Sequence, residues 1–271
     1  MVGLKVKKGK FEEGLEDPSR SLSSWVGEDC CKWWGVGSSS QTGNIIKLDL
    51  KSPFFCDLMS GDTSTGVLSP SLLELKYLNY LDLSNNKFQG IPIPNFIGSL
   101  NKSSYLNLSY ASFAWMIPSH LGNLSNLLYL DLSTFAYRLT PPISNLNWHS
   151  GFSSLKYLSL NGVNLSKAKT DWLQTINLLP SLLELRLSFF LLHYLPQSFP
   201  SVNFSSLSKL DISGNDFNSS IPQLVFNITS LTDLKVGNCY LKGSSLEPAW
   251  NNGHHFVKDD IAHEQVNRKW G

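Results

Sequence analysis

The sequence predicts an α/β solenoid with a parallel sheet on its concave face and a separate N-terminal cap. Three observations carry that expectation. A Leu-x-Leu core begins at Leu81, Leu106, Leu130, Leu158, Leu185, Leu210 and Leu234, in steps of 25, 24, 28, 27, 25 and 24 residues, which is the period of a leucine-rich repeat. The core sits in a longer pattern, Leu78-Asn79-Tyr80-Leu81-Asp82-Leu83-Ser84-Asn85-Asn86 followed by Gly90-Ile91-Pro92. A Trp- and Cys-containing stretch precedes the first such core, Leu48-Asp49-Leu50.

Within Leu-x-Leu the side chains alternate, so both leucines face one side of a short strand and the middle residue faces the other. One repeat cannot bury its leucines alone. Stacked repeats bury them against each other and pair their strands into one parallel sheet. The middle residues Asp82, Asn107, Asp131, Ser159, Arg186, Asp211 and Lys235 are then expected to form an exposed surface.

Residues 11–50 read as the cap. Phe11 to Leu15, and Leu22 with Trp25, suit a short helical stretch ending in the turn Glu16-Asp17-Pro18-Ser19. Trp25 and Trp33 supply the large apolar area that covers the first repeat. Residues 51–74 are a polar connecting loop and the repeat entry, and residues 75–243 hold about seven repeats. The Asn that closes the strand segment, expected to bond backbone groups of neighbouring turns, is present at Asn86 and Asn215. Ala111, Phe135, Val163 and Phe190 stand at its place in between, so the middle repeats need other partners there. Pro141-Pro142 and Lys167 to Trp172 lengthen two intervals and read as surface loops or short helices. From residue 244 to 271 no Leu-x-Leu appears. That tail is expected to be disordered and to leave the last repeat poorly covered.

Bulk properties exclude several functions. The net charge of +1 is spread over mixed acidic and basic residues, which is no nucleic-acid footprint. The apolar run from Leu187 to Leu195 is too short for a membrane span and is broken by Ser188, His193 and Tyr194. Met1 to Lys10 carries charge without an apolar core and does not read as a signal peptide. Asn-x-Ser/Thr at Asn101, Asn107, Asn123, Asn164, Asn203, Asn218 and Asn227 argues for a secreted history, although the repeat's own Asn-Leu-Ser generates some of these sequons.

The cap text is specific. Leu22-Ser23-Ser24-Trp25, Asp29-Cys30-Cys31-Lys32-Trp33, Gly35-Val36, Thr42-Gly43 and Lys47-Leu48-Asp49-Leu50 resemble the N-terminal cap of plant leucine-rich repeat receptor-like proteins and receptor kinases. The stretch Pro70 to Ser84 resembles the receptor-like proteins that detect fungal xylanase. Gly90-Ile91-Pro92 matches the plant-type repeat element, which returns in degenerate form at Ile117-Pro118 and Ile221-Pro222. The likeness covers residues 11–243. It implies a plant-type leucine-rich repeat fold and the N-terminal part of a receptor ectodomain on the extracellular side of the plasma membrane. It further implies a protein, peptide or glycan ligand and, in the full-length family, a co-receptor kinase. It implies no cofactor and no metal.

One departure bears on stability. The family bonds each of the paired cap cysteines to a Cys before the helix or after the Gly-Val. Here no Cys precedes Cys30 and Ser38 follows Gly37, so Cys30 and Cys31 lack those partners. A disulfide contributes ~2–4 kcal/mol, so the cap is expected to be weak, and Cys30 and Cys31 are free thiols unless they find Cys56 or Cys239. Cys239 falls at an inward repeat position and reads as buried. The four cysteines lack paired CxxC spacing, which argues against zinc.

Tyr80, Tyr105, Tyr129 and Tyr157 recur one repeat apart on the face of the middle residues. Stacked, they make an amphipathic ridge suited to recognition, or else they are strand residues packing on their neighbours. The column turns charged at Glu184, Lys209 and Asp233, with Arg186 and Lys235 facing Asp211. That set is either a partner-selective patch or a solvated, cross-paired face. His254, His255 and His263 lie in the polar tail. No phosphate loop, nucleophile elbow or HExxH occurs, and no catalysis is expected. A ligand-recognition domain is the first reading. A secreted inhibitor of a microbial wall-degrading enzyme, or a receptor fragment without function, are the alternatives.

Overall fold

The computed structural model describes residues 24, 26, 29–52, 68–88, 90–114, 116–135, 151–164, 176–189, 204–215, 217, 225, 228–239 and 255–257. The helical stretch expected before Trp25, the loop 53–67, the two lengthened intervals, and Cys56 and Phe190 lie outside them.

Among the described residues one sheet of ten strands runs in chain order. β1 (Val36–Ser38) pairs antiparallel with β2 (Ile45–Asp49). Every later pairing is parallel: β3 (Tyr80–Asp82), β4 (Tyr105–Asn107), β5 (Tyr129–Asp131), β6 (Tyr157–Ser159), β7 (Glu184–Arg186), β8 (Lys209–Asp211), β9 (Asp233–Lys235) and β10 (His255–Val257). The register never slips between parallel strands. Leu48, Leu81, Leu106, Leu130, Leu158, Leu185, Leu210 and Leu234 form one unbroken column. Each is 0–8% exposed, so a shift of one residue anywhere would turn a leucine to water and a Tyr or Asp into the core.

The convex side is made of short 3-10 turns at Pro70–Glu74, Asn95–Ser99 and Ser119–Asn123. Each is preceded or opened by proline, at Pro70, Pro94 and Pro118, which presets φ where the missing N–H costs nothing. Each ends with the same bond, from the N–H of Leu75, Leu100 or Leu124 to the carbonyl three residues back. Their inward residues Leu72, Ile97 and Leu121 are 0–2% exposed. The turn is brief because a repeat of about two dozen residues leaves room for one coil before the next strand must start.

The backbone turns sharply after six of the seven repeat strands, all but β5. Asn85, Tyr110, Gly162, Phe189, Gly214 and Asn238, each four residues past the first Leu of its core, have φ between 54° and 74°. Asn and Gly tolerate this region. Tyr110 and Phe189 do not, and they hold it because the stacked repeats on either side dictate the path.

The asparagine ladder stands where the sequence placed it. The side-chain amide of Asn86 donates to the carbonyls of Leu50 (2.8 Å) and Leu83 (2.9 Å), and that of Asn215 to Leu187 (2.9 Å) and Ile212 (2.7 Å). Between them the ladder is replaced piecemeal. Asn161 accepts the Ser188 N–H on its Oδ1 (2.9 Å), and the Val163 N–H reaches the Leu160 carbonyl. Beside Ala111 a small cavity of about 40 Å³ remains, walled in part by Leu108, Leu132, Ser133 and Val163. Cys239 stands at the next ladder position, 2% exposed, its thiol donating to the Ile212 carbonyl (3.1 Å). Burial pushes that thiol up to about 11, so it acts as a small core donor and not as a nucleophile.

Two expectations need correction. The tail beyond residue 243 is not wholly without order, because His255–Val257 extends the sheet. The last repeat is not poorly covered, because Leu231, Leu234, Val236 and Cys239 are 0–3% exposed. In the cap, Trp33 is 5% exposed and its ring N–H donates to the Val26 carbonyl (3.3 Å). Cys31 is an exposed free thiol. The side chain of Cys30 lies outside the described residues.

Candidate concave recognition face

Strict register brings Tyr80, Tyr105, Tyr129 and Tyr157 side by side on β3 to β6. Their rings stack with centroids 4.0, 4.2 and 4.2 Å apart and planes within 11° of parallel. A cation closes each end of the pile. Lys47 on β2 lies 4.6 Å above the Tyr80 centroid, and the Arg186 guanidinium on β7 lies 5.5 Å from that of Tyr157. Each cation is also held along its own strand, Lys47 by Asp49 (3.1 Å) and Arg186 by Glu184 (2.7 Å). Offset aromatic pairs contribute ~0.5–1.5 kcal/mol each beyond buried area, so three stacked pairs stiffen this half of the sheet appreciably.

The column of middle residues is less exposed than alternation implied. Asp82 is 3% and Ser159 1% exposed, Asn107, Asp131 and Asp211 are half-buried, and among the seven only Arg186 and Lys235 are exposed. The reason is local. Each acid or amide turns along the chain and accepts the N–H two residues on: Ser84 on Asp82 (2.9 Å), Ser109 on Asn107 (3.0 Å), Ser133 on Asp131 (2.9 Å) and Ser213 on Asp211 (3.1 Å). These are Asx turns that start the bend after the strand. Ser159 instead shares a hydroxyl bond with Ser133 (2.7 Å). Alternation tells which face a residue takes, not how far a neighbouring ring leans over it.

The ring hydroxyls reach the same column. Those of Tyr80 and Tyr105 make long bonds to one Asp82 oxygen (3.5 and 3.4 Å), which also receives the Asn107 amide (3.2 Å). Burial is the largest cause that raises all four phenols, and the neighbouring carboxylates add to it. Burial likewise raises the Asp131 carboxyl, against the pull of two bonds from Ser133. The four phenols are built to stay protonated.

From β7 onward the face changes character. Glu184, Lys209 and Asp233 alternate in one column, and Arg186, Asp211 and Lys235 alternate with opposite sign in the next. Arg186 is ion-paired along its strand to Glu184, not across to Asp211.

The sequence reading missed four participants. Lys47 extends the tyrosine column by one strand and could have been found by carrying the register into the cap. Tyr110 stacks on Phe135 (4.1 Å) beyond the strand ends, and Phe189, 48% exposed, packs over Gly214, where an added Cβ would meet its ring at 2.6 Å. The sequons divide as well. Asn101 and Asn123 are exposed, while Asn164 is 9% exposed and the Asn107 amide is engaged on the concave face. Asn203, Asn218 and Asn227 lie outside the described residues. Among the described residues no group of His, Cys, Asp and Glu is placed to hold a metal, and no helix is long and apolar enough to cross a membrane.

Known proteins resemble this chain. Residues 10–37 match the family model of the leucine rich repeat N-terminal domain, and residues 77–100 and 206–228 match that of the Leucine Rich Repeat. Receptor-like protein EIX1 of Solanum lycopersicum is 42% identical over 240 residues, which are 84% of this chain and 23% of that relative. Receptor-like protein EIX2 of the same plant is 47% identical over 113 residues, 41% of this chain and 11% of its own length. The chain thus spans under a quarter of the relatives it matches. The Arabidopsis receptor kinase HAESA, solved with the peptide hormone IDA and the co-receptor SERK1, superposes with a TM-score of 0.50 at 21% identity over 86% of this chain and 47% of that one, a likeness of fold alone. Cap, repeats and relatives together make this a chain of leucine-rich repeats that is similar to the N-terminal part of plant receptor-like proteins.

Proposed function

We propose that this chain is a non-catalytic recognition module of an extracellular receptor-like protein, and that its concave face binds a protein or peptide ligand. The observation that carries the reading is the pile of four tyrosines closed by Lys47 and Arg186. Large, rigid, amphipathic side chains that are already ordered lose little entropy when a partner lands on them. The receptor-like relatives support the class of function, and the peptide and co-receptor of HAESA are an example of what such a solenoid accommodates. A co-receptor kinase would supply the signalling. Binding residues on this reading are Tyr80, Tyr105, Tyr129, Tyr157, Arg186 and Lys235, with Asp82, Asn107, Asp131, Ser159 and Asp211 supporting them from below.

The test is surface plasmon resonance of the full chain against a fungal xylanase, with xylan oligosaccharides injected separately. Micromolar or tighter binding of the enzyme, weakened at least tenfold by Tyr105→Ala combined with Tyr129→Ala, is the expected result. Tyr105→Phe keeps the stack and separates hydroxyl contacts from folding. Equal binding by all variants, each with an unchanged circular dichroism spectrum, would remove the tyrosines from the site.

A further inference from the structure

The charged half of the concave face is layered. Arg186 on β7, Lys209 on β8 and Lys235 on β9 are exposed, while Glu184, Asp211 and Asp233 beside them are half-buried. Each acid is engaged by a donor close by in the chain. Glu184 Oε1 takes the Arg186 Nε–H (2.7 Å), Asp211 Oδ1 the Ser213 N–H (3.1 Å) and Asp233 Oδ2 the Thr232 hydroxyl (2.8 Å). Among the described residues Lys209 and Lys235 make no ion pair, although an acid stands opposite each on a neighbouring strand. Arg186 spends one of its five donors on Glu184, and its side chain is 45% exposed against 21% for that acid. Long aliphatic stems carry the cations past the acids, which lie beneath them.

We propose that β7 to β9 form a subsite for an extended acidic peptide segment with Asp or Glu on alternate residues, its carboxylates bridging Arg186 to Lys209 or Lys209 to Lys235. This deepens the proposed ligand surface and rests on it. The spacing carries the choice. Arg186 and Lys209 are diagonal neighbours, one strand across and two residues along, and so are Lys209 and Lys235. A strand spacing of ~4.8 Å and a rise of ~3.3 Å per residue put diagonal Cα atoms about 8 Å apart. Alternate side chains of an extended peptide leave the same side about 6.6 Å apart, a difference that a flexible lysine stem takes up. Three cations against three acids leave the patch without net charge, so a lone anion feels little long-range pull. A basic segment meets the cations first and finds the acids already bonded, which turns it away. Arg186 also lies over Tyr157, so the subsite continues the tyrosine pile.

The experiment titrates the full chain with short Gly-Ser peptides that carry Glu-x-Glu, Glu-Glu or Lys-x-Lys, and separately with inorganic sulfate and trigalacturonate. NMR shifts of the backbone amides read both affinity and place. Glu-x-Glu should bind at least fivefold tighter than Glu-Glu and shift the amides of β7 to β9 while those of Tyr80 to Asp82 stay still. Lys209→Gln, with an unchanged circular dichroism spectrum, should lower that affinity at least fivefold and erase the preference, and Lys209→Arg should keep it. Equal affinity for Glu-x-Glu and Glu-Glu, tighter binding of Lys-x-Lys, sulfate shifts that match the peptide's, or no shift at all would each overturn the proposal. Tighter binding of trigalacturonate would give the subsite to an acidic oligosaccharide and overturn the peptide assignment. Xylanase binding that depends on Tyr105 and Tyr129, without a Glu-x-Glu preference, would keep the concave ligand surface and overturn the subsite alone. A Glu-x-Glu preference without xylanase binding would sustain the subsite and fault only the choice of xylanase.

Discussion

Replacing Asn215 by Ala should destabilise this chain more than almost any other single change of a polar side chain. Asn215 is 1% exposed, and its amide donates to the carbonyls of Leu187 at 2.9 Å and Ile212 at 2.7 Å, tying two successive repeats together. A third approach, to Ser213 at 3.4 Å, adds little. Two good bonds at a net ~0.5–1.5 kcal/mol each give ~1–3 kcal/mol. Leaving the Leu187 carbonyl buried without that donor, and the Ile212 carbonyl with only the Cys239 thiol (3.1 Å) beside the space the amide vacates, brings the total to about 2–4 kcal/mol. For a chain of this size that is a fall of roughly 5–15 °C in Tm. A solenoid's stability is close to a sum of neighbouring repeats, so the loss should also be local. Hydrogen exchange should quicken in Glu184 to Arg186 and Lys209 to Asp211 and stay unchanged in Tyr80 to Asp82. A loss below about 0.5 kcal/mol, or uniform loosening along the sheet, would refute the ladder as the link between repeats.

Two further outcomes follow from the same geometry. Ala111→Asn should place an amide in the 40 Å³ cavity, within the span of the ladder, and raise stability by about 0.5–1.5 kcal/mol; a lower melting temperature would mean the space cannot take the side chain without strain. In alkali, the phenols of Tyr80, Tyr105, Tyr129 and Tyr157 keep their protons in the fold, because burial raises them above the ordinary value near 10. The stability this confers is whole below pH ~10, where the unfolded tyrosines also stay protonated, and is lost as pH rises above it. Absorbance at 295 nm should therefore show late-titrating tyrosines whose ionisation coincides with unfolding, and free titration near pH 10 with the fold intact would contradict the stack.

Much of the fold was legible in the spacing of Leu-x-Leu. The seven repeats put β3 to β9 at the residues expected, each starting one residue before its first Leu, and the ladder roles of Asn86 and Asn215 follow from their place in the pattern. β10 was not legible, because His-Phe-Val keeps the register without the leucines that announce it. The face was legible in direction only. Periodicity put Tyr80 and Asp82 on the same side, but the depth of Asp82 depends on rings contributed by other repeats and on a turn two residues away. The partner of Arg186 was ambiguous because Glu184 and Asp211 are both adjacent in the sheet, and the shorter reach along the strand prevails.

The two halves of the concave face spend their chemistry differently, and this bears on how a ligand would be read. Over β3 to β6 the ring faces are used up by one another and the hydroxyls of Tyr80 and Tyr105 are turned to Asp82, so a partner meets ring edges on a surface that is already ordered. Over β7 to β9 it meets Arg186, Lys209 and Lys235 exposed to water amid Glu184, Asp211 and Asp233. Rigid apolar edges favour contact at low entropic cost but discriminate little, whereas a charge pattern adds little affinity but rejects a mismatched partner strongly. On the proposed reading the tyrosine pile would anchor a ligand and the charged strands would choose it. Substitutions in β7 to β9 should then redirect specificity where those in the pile abolish binding.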